Sequence, residues 1–358
     1  MRATLSAVTW EDGVSTTFDV GAASTGSNNT LTLNSTAASL VGGAPNATMT
    51  FNVTGANGDR LRLSGGNVSF ADNGNTWVLN STTANVTVAR NLVTGVGTGH
   101  TLQLDGTSSD SIFSGNITDT ATALTKTNTG IWTLSGTNTY TGATNVSGGT
   151  LIIGASGSLA TGSAVTVANT ATLTNNGAVG GSVTVNTGGT LNGSGTFNGA
   201  VAVNGSLNPG NSPGLQTYNS GLTLGAASAT TMEIAGTGGV GGTDFDMVNV
   251  AGGTLGYGGS LSIVDYLAFN VSGQDGIYNL FDGTTTGDFT SVTVDGVALT
   301  GSNLLGTGTG AWAASSGGVD YSFTESTGVL SVTVVPEPGA ALLGGVGMLA
   351  LLRRRRGA

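Results

Sequence analysis

The chain has 358 residues, with 63 glycines, 19 acidic and 9 basic side chains, one histidine, no cysteine and a formal net charge of −10. The glycines follow no Gly-X-Y period, which excludes collagen; the missing thiols exclude disulfides, thiol catalysis and thiolate metal sites, so the fold must be held by its core. Four of the basic residues are Arg353 to Arg356, which leaves residues 1–335 with 5 basic against 18 acidic side chains, a body that disfavours nucleic acid and anionic membrane surfaces as partners.

At the N-terminus, Met1 to Trp10 contains Arg2 but no long apolar run, and Glu11 and Asp12 follow at once. No secretory leader is legible there, and the expectation is that the natural start lies upstream. Short runs of alternating apolar and polar residues then recur: Leu31-Thr32-Leu33, Phe51-Asn52-Val53, Leu61-Arg62-Leu63, Val68-Ser69-Phe70, Trp77-Val78-Leu79, Val86-Thr87-Val88 and Leu102-Gln103-Leu104. Gly, Asn, Asp or Ser bounds each run, the pattern of strands between turns. The starts at 51, 68, 86 and 102 are 17, 18 and 16 apart, the size of one rung of a β-solenoid.

The middle of the chain is more regular. Val165-Thr166-Val167, Val183-Thr184-Val185 and Val201-Ala202-Val203 recur at intervals of 18, each followed by a leucine at 173, 191 or 207. Gly-Gly-Thr-Leu occurs at 148–151, 188–191 and 252–255. A strand with one apolar face cannot bury that face alone; stacked rungs place Val on Val and Leu on Leu in a continuous core. Glycines and Asn-Gly pairs suit the corners. The segment 124–154, LTKTNTGIWTLSGTNTYTGATNVSGGTLIIG, is the strongest motif of the body. Its aromatics Trp132 and Tyr140 allow two readings: exposed rings that stack on sugars, or core fillers.

Further on, Pro209-Gly210 and Pro213-Gly214 punctuate the pattern, and residues 222–335 carry longer apolar stretches and more Asp and Phe. This part reads as wider rungs or as an antiparallel cap protecting the last edge, with a loop over Thr300 to Ser316.

Catalytic chemistry is poorly supplied. His100 is the only histidine and sits beside Gly97 and Gly99, where a solvated loop is expected; Lys126 is the only lysine and belongs to no Walker A loop. No nucleophile elbow surrounds a serine. Asp244 with Asp246, Asp105 with Asp110, and Asp282 with Asp288 are the acidic pairs that sugar-cleaving chemistry would require, and none has nearby Lys or Arg in the sequence. Calcium-binding loops of the EF-hand or Gly-Gly-x-Gly-x-Asp type are absent. We therefore expect a non-enzymatic chain with no cofactor and no metal site.

The last segment, Val335 to Ala358, reads VPEPGAALLGGVGMLALLRRRRGA. Pro336 and Pro338 end the preceding strand pattern. The fourteen uncharged residues 339–352 span about 21 Å as a helix, short of a hydrocarbon core of about 30 Å. The arginines after them extend the reach by snorkelling and orient the tail inward.

Two resemblances follow from these residues. The tail is similar to the PEP-CTERM sorting signal of Gram-negative bacteria in Pro336-Glu337-Pro338, in the apolar run and in Arg353, Arg354, Arg355 and Arg356. That likeness implies recognition by an exosortase-type membrane enzyme, transient anchoring in the inner membrane through residues 339–352, export to the cell surface or matrix, and association with exopolysaccharide. The segment 124–154 resembles the autotransporter-associated β-strand repeat in Leu124, Lys126, Gly130, Trp132, Leu134, Gly136, Asn138, Tyr140, Gly142, Thr144, Val146, Gly149, Thr150 and Leu151. That likeness implies a right-handed parallel β-helix with a structural or adhesive role. The expectation is an all-β chain: a β-solenoid body over 1–215, a terminal β module or wider rungs over 216–334, and a sorting and membrane-helix segment over 335–358. The leading function is a surface or matrix structural protein, with a carbohydrate-binding adhesin as its rival.

Overall fold

The computed structural model describes residues 2–5, 15–20, 29–35, 39–41, 44–56, 58–210, 212–266, 275–302 and 310–335. The sorting residues Pro336, Glu337, Pro338 and Arg353 to Arg356, with the apolar run 339–352, lie outside the described residues. Among the described residues no helix is long and apolar enough to cross a membrane.

The described chain is almost entirely β. Its strands are two to seven residues long, because a corner glycine or asparagine interrupts each apolar run. They stack into long parallel sheets that form three sides of a solenoid. The first side runs from Arg2–Leu5 to Ser291–Val294, and the second from Ser15–Asp19 to Thr285–Gly287. The third starts with Ser39–Val41, Val68–Phe70 and Leu92–Val93 and resumes from Thr137–Asn138 to Phe281–Asp282. Ile117 joins its two parts: it bridges Leu92 in parallel and its carbonyl accepts from Thr139 N.

Three internal columns show why the register holds. Leu151, Leu173, Leu191 and Leu207 stack on the first side. Val146, Val167, Val185, Val203 and Leu224 stack on the second. Leu159, Val179, Phe197, Tyr218 and Val250 stack on the third. All are buried, and each side chain of this size contributes about 1.5–3 kcal/mol on burial. A slip of one residue would turn a whole strand's apolar set to water.

The intervals of 18 at Val165, Val183 and Val201 are true rung repeats. The earlier spacing of 17, 18 and 16 is not. Phe51 and Leu102 belong to the second side, Val68 to the third and Val86 to the first. True rungs there are longer, with Thr48 stacked on Thr76 and Thr76 on Thr101. With three strands per rung, equal spacing of starts does not mark equivalent positions. Gly-Gly-Thr-Leu behaves the same way: Leu151 and Leu191 fall on the first side, whereas Leu255 stacks on Leu222 on the second.

Parallel pairing crosses residue 215 without a break, through Tyr218 with Val250 and Leu222 with Leu255. The rungs widen here, and Ala229 finds its partner on the next rung only at Ser260. The solenoid then closes with an antiparallel sheet in the order Gly276–Asn279, Val329–Val334, Val319–Thr324, Ala311–Ser316, Thr300–Ser302. Wider rungs and an antiparallel cap are thus both present. The stretch expected as a loop, Thr300 to Ser316, holds two of the cap strands, with Trp312 paired to Phe323. Its Ala, Ser and Gly carry little strand signal of their own, and the neighbouring strand supplies the pairing. Phe323 packs on Phe281 and Phe289 and so ties the cap to the last rungs. Glu325 is buried in this joint, where its carboxylate accepts from Phe289 N at 2.8 Å, Trp312 Nε1 at 2.9 Å and Gly310 N at 3.1 Å.

Candidate functional site

The motif residues of 124–154 build the inside of two successive rungs, with Leu124 stacked on Thr144 and Trp132 on Leu151. Trp132 lies in the strand Ile131–Leu134 on the same side of the pleat as Leu134, and both are fully buried. Its Nε1 donates to Asp105 O at 3.0 Å. Tyr140 is also 0 % exposed; its hydroxyl sits 2.7 Å from Thr144 Oγ1, which in turn meets Ser163 Oγ at 2.8 Å. Burial pushes the Tyr140 phenol up to about 12. Of their two readings, core filling is the one observed, and neither ring offers a face to a sugar. Trp77 is buried as well.

Polar motif residues are turned inward too. Asn138 accepts from Ile117 N at 3.0 Å and donates to Gly136 O and Ser158 O, so its amide fastens three rungs together. The Lys126 ammonium is held by the carbonyl oxygens of Thr127, Asn128 and Gly148 at 2.5, 3.1 and 3.2 Å. Burial lowers its pKa to about 8, with the Asp105 carboxylate opposing. Asp105 itself accepts from Thr127 Oγ1 at 2.9 Å and from Asn128 Nδ2. A solenoid interior offers few places for a charge, and this one is caged by backbone oxygens at a corner.

His100 is not a solvated loop residue. It opens the strand His100–Gly106, is 1 % exposed and stacks on Phe70 with ring centroids 4.4 Å apart. Its Nδ1 lies 2.6 Å from Asp119 Oδ2 and its Nε2 3.0 Å from Val96 O. Asp119 also accepts from Thr122 Oγ1 at 2.9 Å. With both ring nitrogens engaged and the ring covered, the pair has no face on which to take a proton from a substrate. The flanking glycines hid this, because Asp119 comes only after the following strand, Ser111–Phe113.

The acidic pairs separate. Asp110 pairs with Arg60, away from the Asp105 network. Asp244 sits in a turn, accepting from Val240 N at 2.8 Å. Asp246 is 1 % exposed, with its oxygens on Gly214 N at 2.7 Å and Glu233 N at 2.8 Å, and does not share a strand face with Asp244. Asp282 is exposed, whereas Asp288 hydrogen-bonds to the buried Glu325. Among the described residues no group of three His, Asp or Glu side chains gathers to hold a metal.

Two clefts among the described residues collect polar groups, and one of them has carboxylates in its lining. About 320 Å³ in volume, it lies at the corner after Ser206–Pro209 and is lined by Asn192, Asn208, Thr231, Glu233 and Asp246. Burial, with the Glu233 carboxylate nearby, pushes the Asp246 carboxyl up to about 7 against the two backbone donors. Sequence reasoning identified Asp246 but neither Glu233 nor the asparagines.

Comparison with known proteins adds one finding. A family profile described as the passenger-associated-transport-repeat matches residues 124–153. No curated protein matches the chain. Over those residues the chain is similar to passenger repeats, and Lys126, Trp132, Asn138, Tyr140 and Thr144, whose side chains make bonds described above, lie within the match.

Proposed function

We propose that the chain is a non-enzymatic structural protein of the cell surface or extracellular matrix, exported and sorted through its C-terminal Pro-Glu-Pro, apolar and arginine segment. One observation carries the structural part: a continuous, three-sided parallel ladder whose conspicuous polar residues, Lys126, Asn138, His100 and Asp119, are spent on holding rungs together. The partners in this reading are an exosortase-type processing enzyme, the inner membrane through residues 339–352 before processing, and exopolysaccharide afterwards. The setting is the surface or matrix of a Gram-negative bacterium, and the likeness of residues 124–153 to a passenger repeat supports it.

The test is fractionation of the native host with an antibody against the solenoid, and mass spectrometry of the C-terminus of the recovered protein. The expected product lies outside the inner membrane and ends near Pro336 to Pro338. Intact protein in the cytoplasm overturns the export reading.

A further inference from the structure

Tyr266 is the one exposed aromatic among the described residues, at 61 %, and it stands beside the polar cleft, reaching its lining residue Glu233. It follows the strand Ser260–Asp265, in which Leu261 and Ile263 point inward, so the alternation turns Tyr266 out. Its backbone is fixed by Tyr266 N donating to Ile234 O at 2.9 Å, and its hydroxyl donates to Glu233 Oε1 at 3.3 Å.

On the outer face of the first side, Asn192 and Asn208 stack in register, with Asn208 Nδ2 donating to Asn192 Oδ1 at 3.2 Å. Thr231 stands on the next strand, Ala229–Ile234, and Tyr266 follows the one after. Asn192, Asn208 and Thr231 form a row two ladder steps long, about 10 Å; Thr231 pairs in register with Ser262, and Tyr266 lies four residues beyond Ser262 along the chain, beside Glu233. Pro209, Gly210 and Ser212 wall the cleft at the corner.

We propose that this row and the adjoining Tyr266 form a binding site for a neutral polysaccharide, with Tyr266 as the aromatic platform at its end and Asn192, Asn208, Thr231 and Glu233 as the hydroxyl-reading groups. Amides and a hydroxyl both donate and accept, and a carboxylate accepts twice, which is the complement of a ring of sugar hydroxyls. An exposed tyrosine supplies an apolar body with a polar tip, the surface that a pyranose C–H face covers. Glu233 is only half satisfied by the chain, since Oε2 is buried without a hydrogen-bond partner. A sugar hydroxyl that reaches this oxygen through a small shift of the Glu233 or Tyr266 side chain offers it a donor the protein does not supply. The charge selects the class. The Glu233 carboxylate at the site, on a body with 18 acidic and 5 basic side chains over residues 1–335, repels uronates and sulfated sugars.

The inference deepens the reading of a surface or matrix protein by naming the class of polymer bound. Its test uses the purified full-length chain, so it stands or falls apart from localisation. Affinity electrophoresis and calorimetry would be run with dextran, soluble starch, mannan and cellohexaose, with alginate as the uronate control and calcium chloride alone as the cation control. The expected result is retention by at least one neutral glycan and none by alginate. Tyr266→Ala and Asn208→Ala should each weaken binding at least tenfold with an unchanged melting temperature. Tyr266→Phe should retain most of it, and Ile277→Ala, at an exposed position elsewhere on the surface, should leave it unchanged. No neutral glycan bound at millimolar concentration, wild-type binding in both the Tyr266→Ala and Asn208→Ala variants, preference for alginate, or calcium bound in the cleft without sugar each overturns the assignment.

Discussion

Replacing Trp132 separates the two roles its side chain has in the repeat. The indole is fully buried, stacked in register between Ser111 and Leu151, with Nε1 on Asp105 O at 3.0 Å. Trp132→Ala removes the whole ring and leaves a cavity in a column that cannot collapse without shifting neighbouring rungs, a loss of about 3–5 kcal/mol. Trp132→Phe keeps most of the apolar volume and removes the donor. The carbonyl it served also accepts from Ser81 Oγ at 3.1 Å and is not orphaned, so the expected cost is only about 1–2 kcal/mol. A stacked array communicates chiefly between neighbours, and a long one need not unfold in a single step. Hydrogen exchange resolved by strand is therefore a better assay than a global melt. Faster exchange should concentrate in Ser111–Phe113 and Gly149–Ile153, with Val201–Val203 little changed. Equal losses in the two variants, or an alanine variant within about 1 kcal/mol of wild type, would refute the account of Trp132 as a core filler.

Three further outcomes follow from the described contacts. The folded pKa of Lys126, about 8, lies below the unfolded value of 10.5, so between these pH values the unfolded chain binds more protons and stability rises with pH; denaturation midpoints from pH 7.5 to 10 should show the rise in wild type and not in Lys126→Met. Gly106 has φ +101° and an added Cβ would lie 2.0 Å from Ser81 O, so Gly106→Ala should cost more than about 2 kcal/mol, whereas Gly317→Ala, at φ +59° with open space around it, should cost about 1 kcal/mol, both read by urea titration. Glu325→Gln replaces one of two acceptor oxygens by a donor, leaves a buried N–H without a partner, and should loosen the cap by about 1–3 kcal/mol, seen as an early fluorescence transition when Trp312 is the one remaining tryptophan.

Much of the architecture was legible because a parallel stack repeats itself. Val165, Val183 and Val201, with the leucines that follow them, have the same burial and the same neighbour in each rung, so their spacing survives as a pattern. Three-sidedness was not legible upstream, where the rungs joining Thr48 to Thr76 and Thr76 to Thr101 differ in corner length and successive strands belong to different sides. Trp132 could have been placed from its parity with Leu134. His100 could not, because its partner Asp119 arrives from a different part of the rung. The cleft was illegible for a related reason. Asn192, Asn208, Glu233 and Tyr266 lie on or next to strands stacked in one parallel sheet, but consecutive rungs along that side have unequal lengths, so no regular spacing marks them in the sequence.

The position of Val329–Val334 in the cap has a mechanical consequence. This strand is the last before residue 335, and it is bonded on one edge to Gly276–Asn279 and on the other to Val319–Thr324. A pull on the chain from its C-terminal side therefore enters along a strand gripped from both edges. The load acts lengthwise on two ladders together instead of peeling one bond at a time, and Phe323, on the neighbouring strand, carries it inward to Phe281 and Phe289 at the end of the stack. Tension applied there meets the protein at a place built to resist shear.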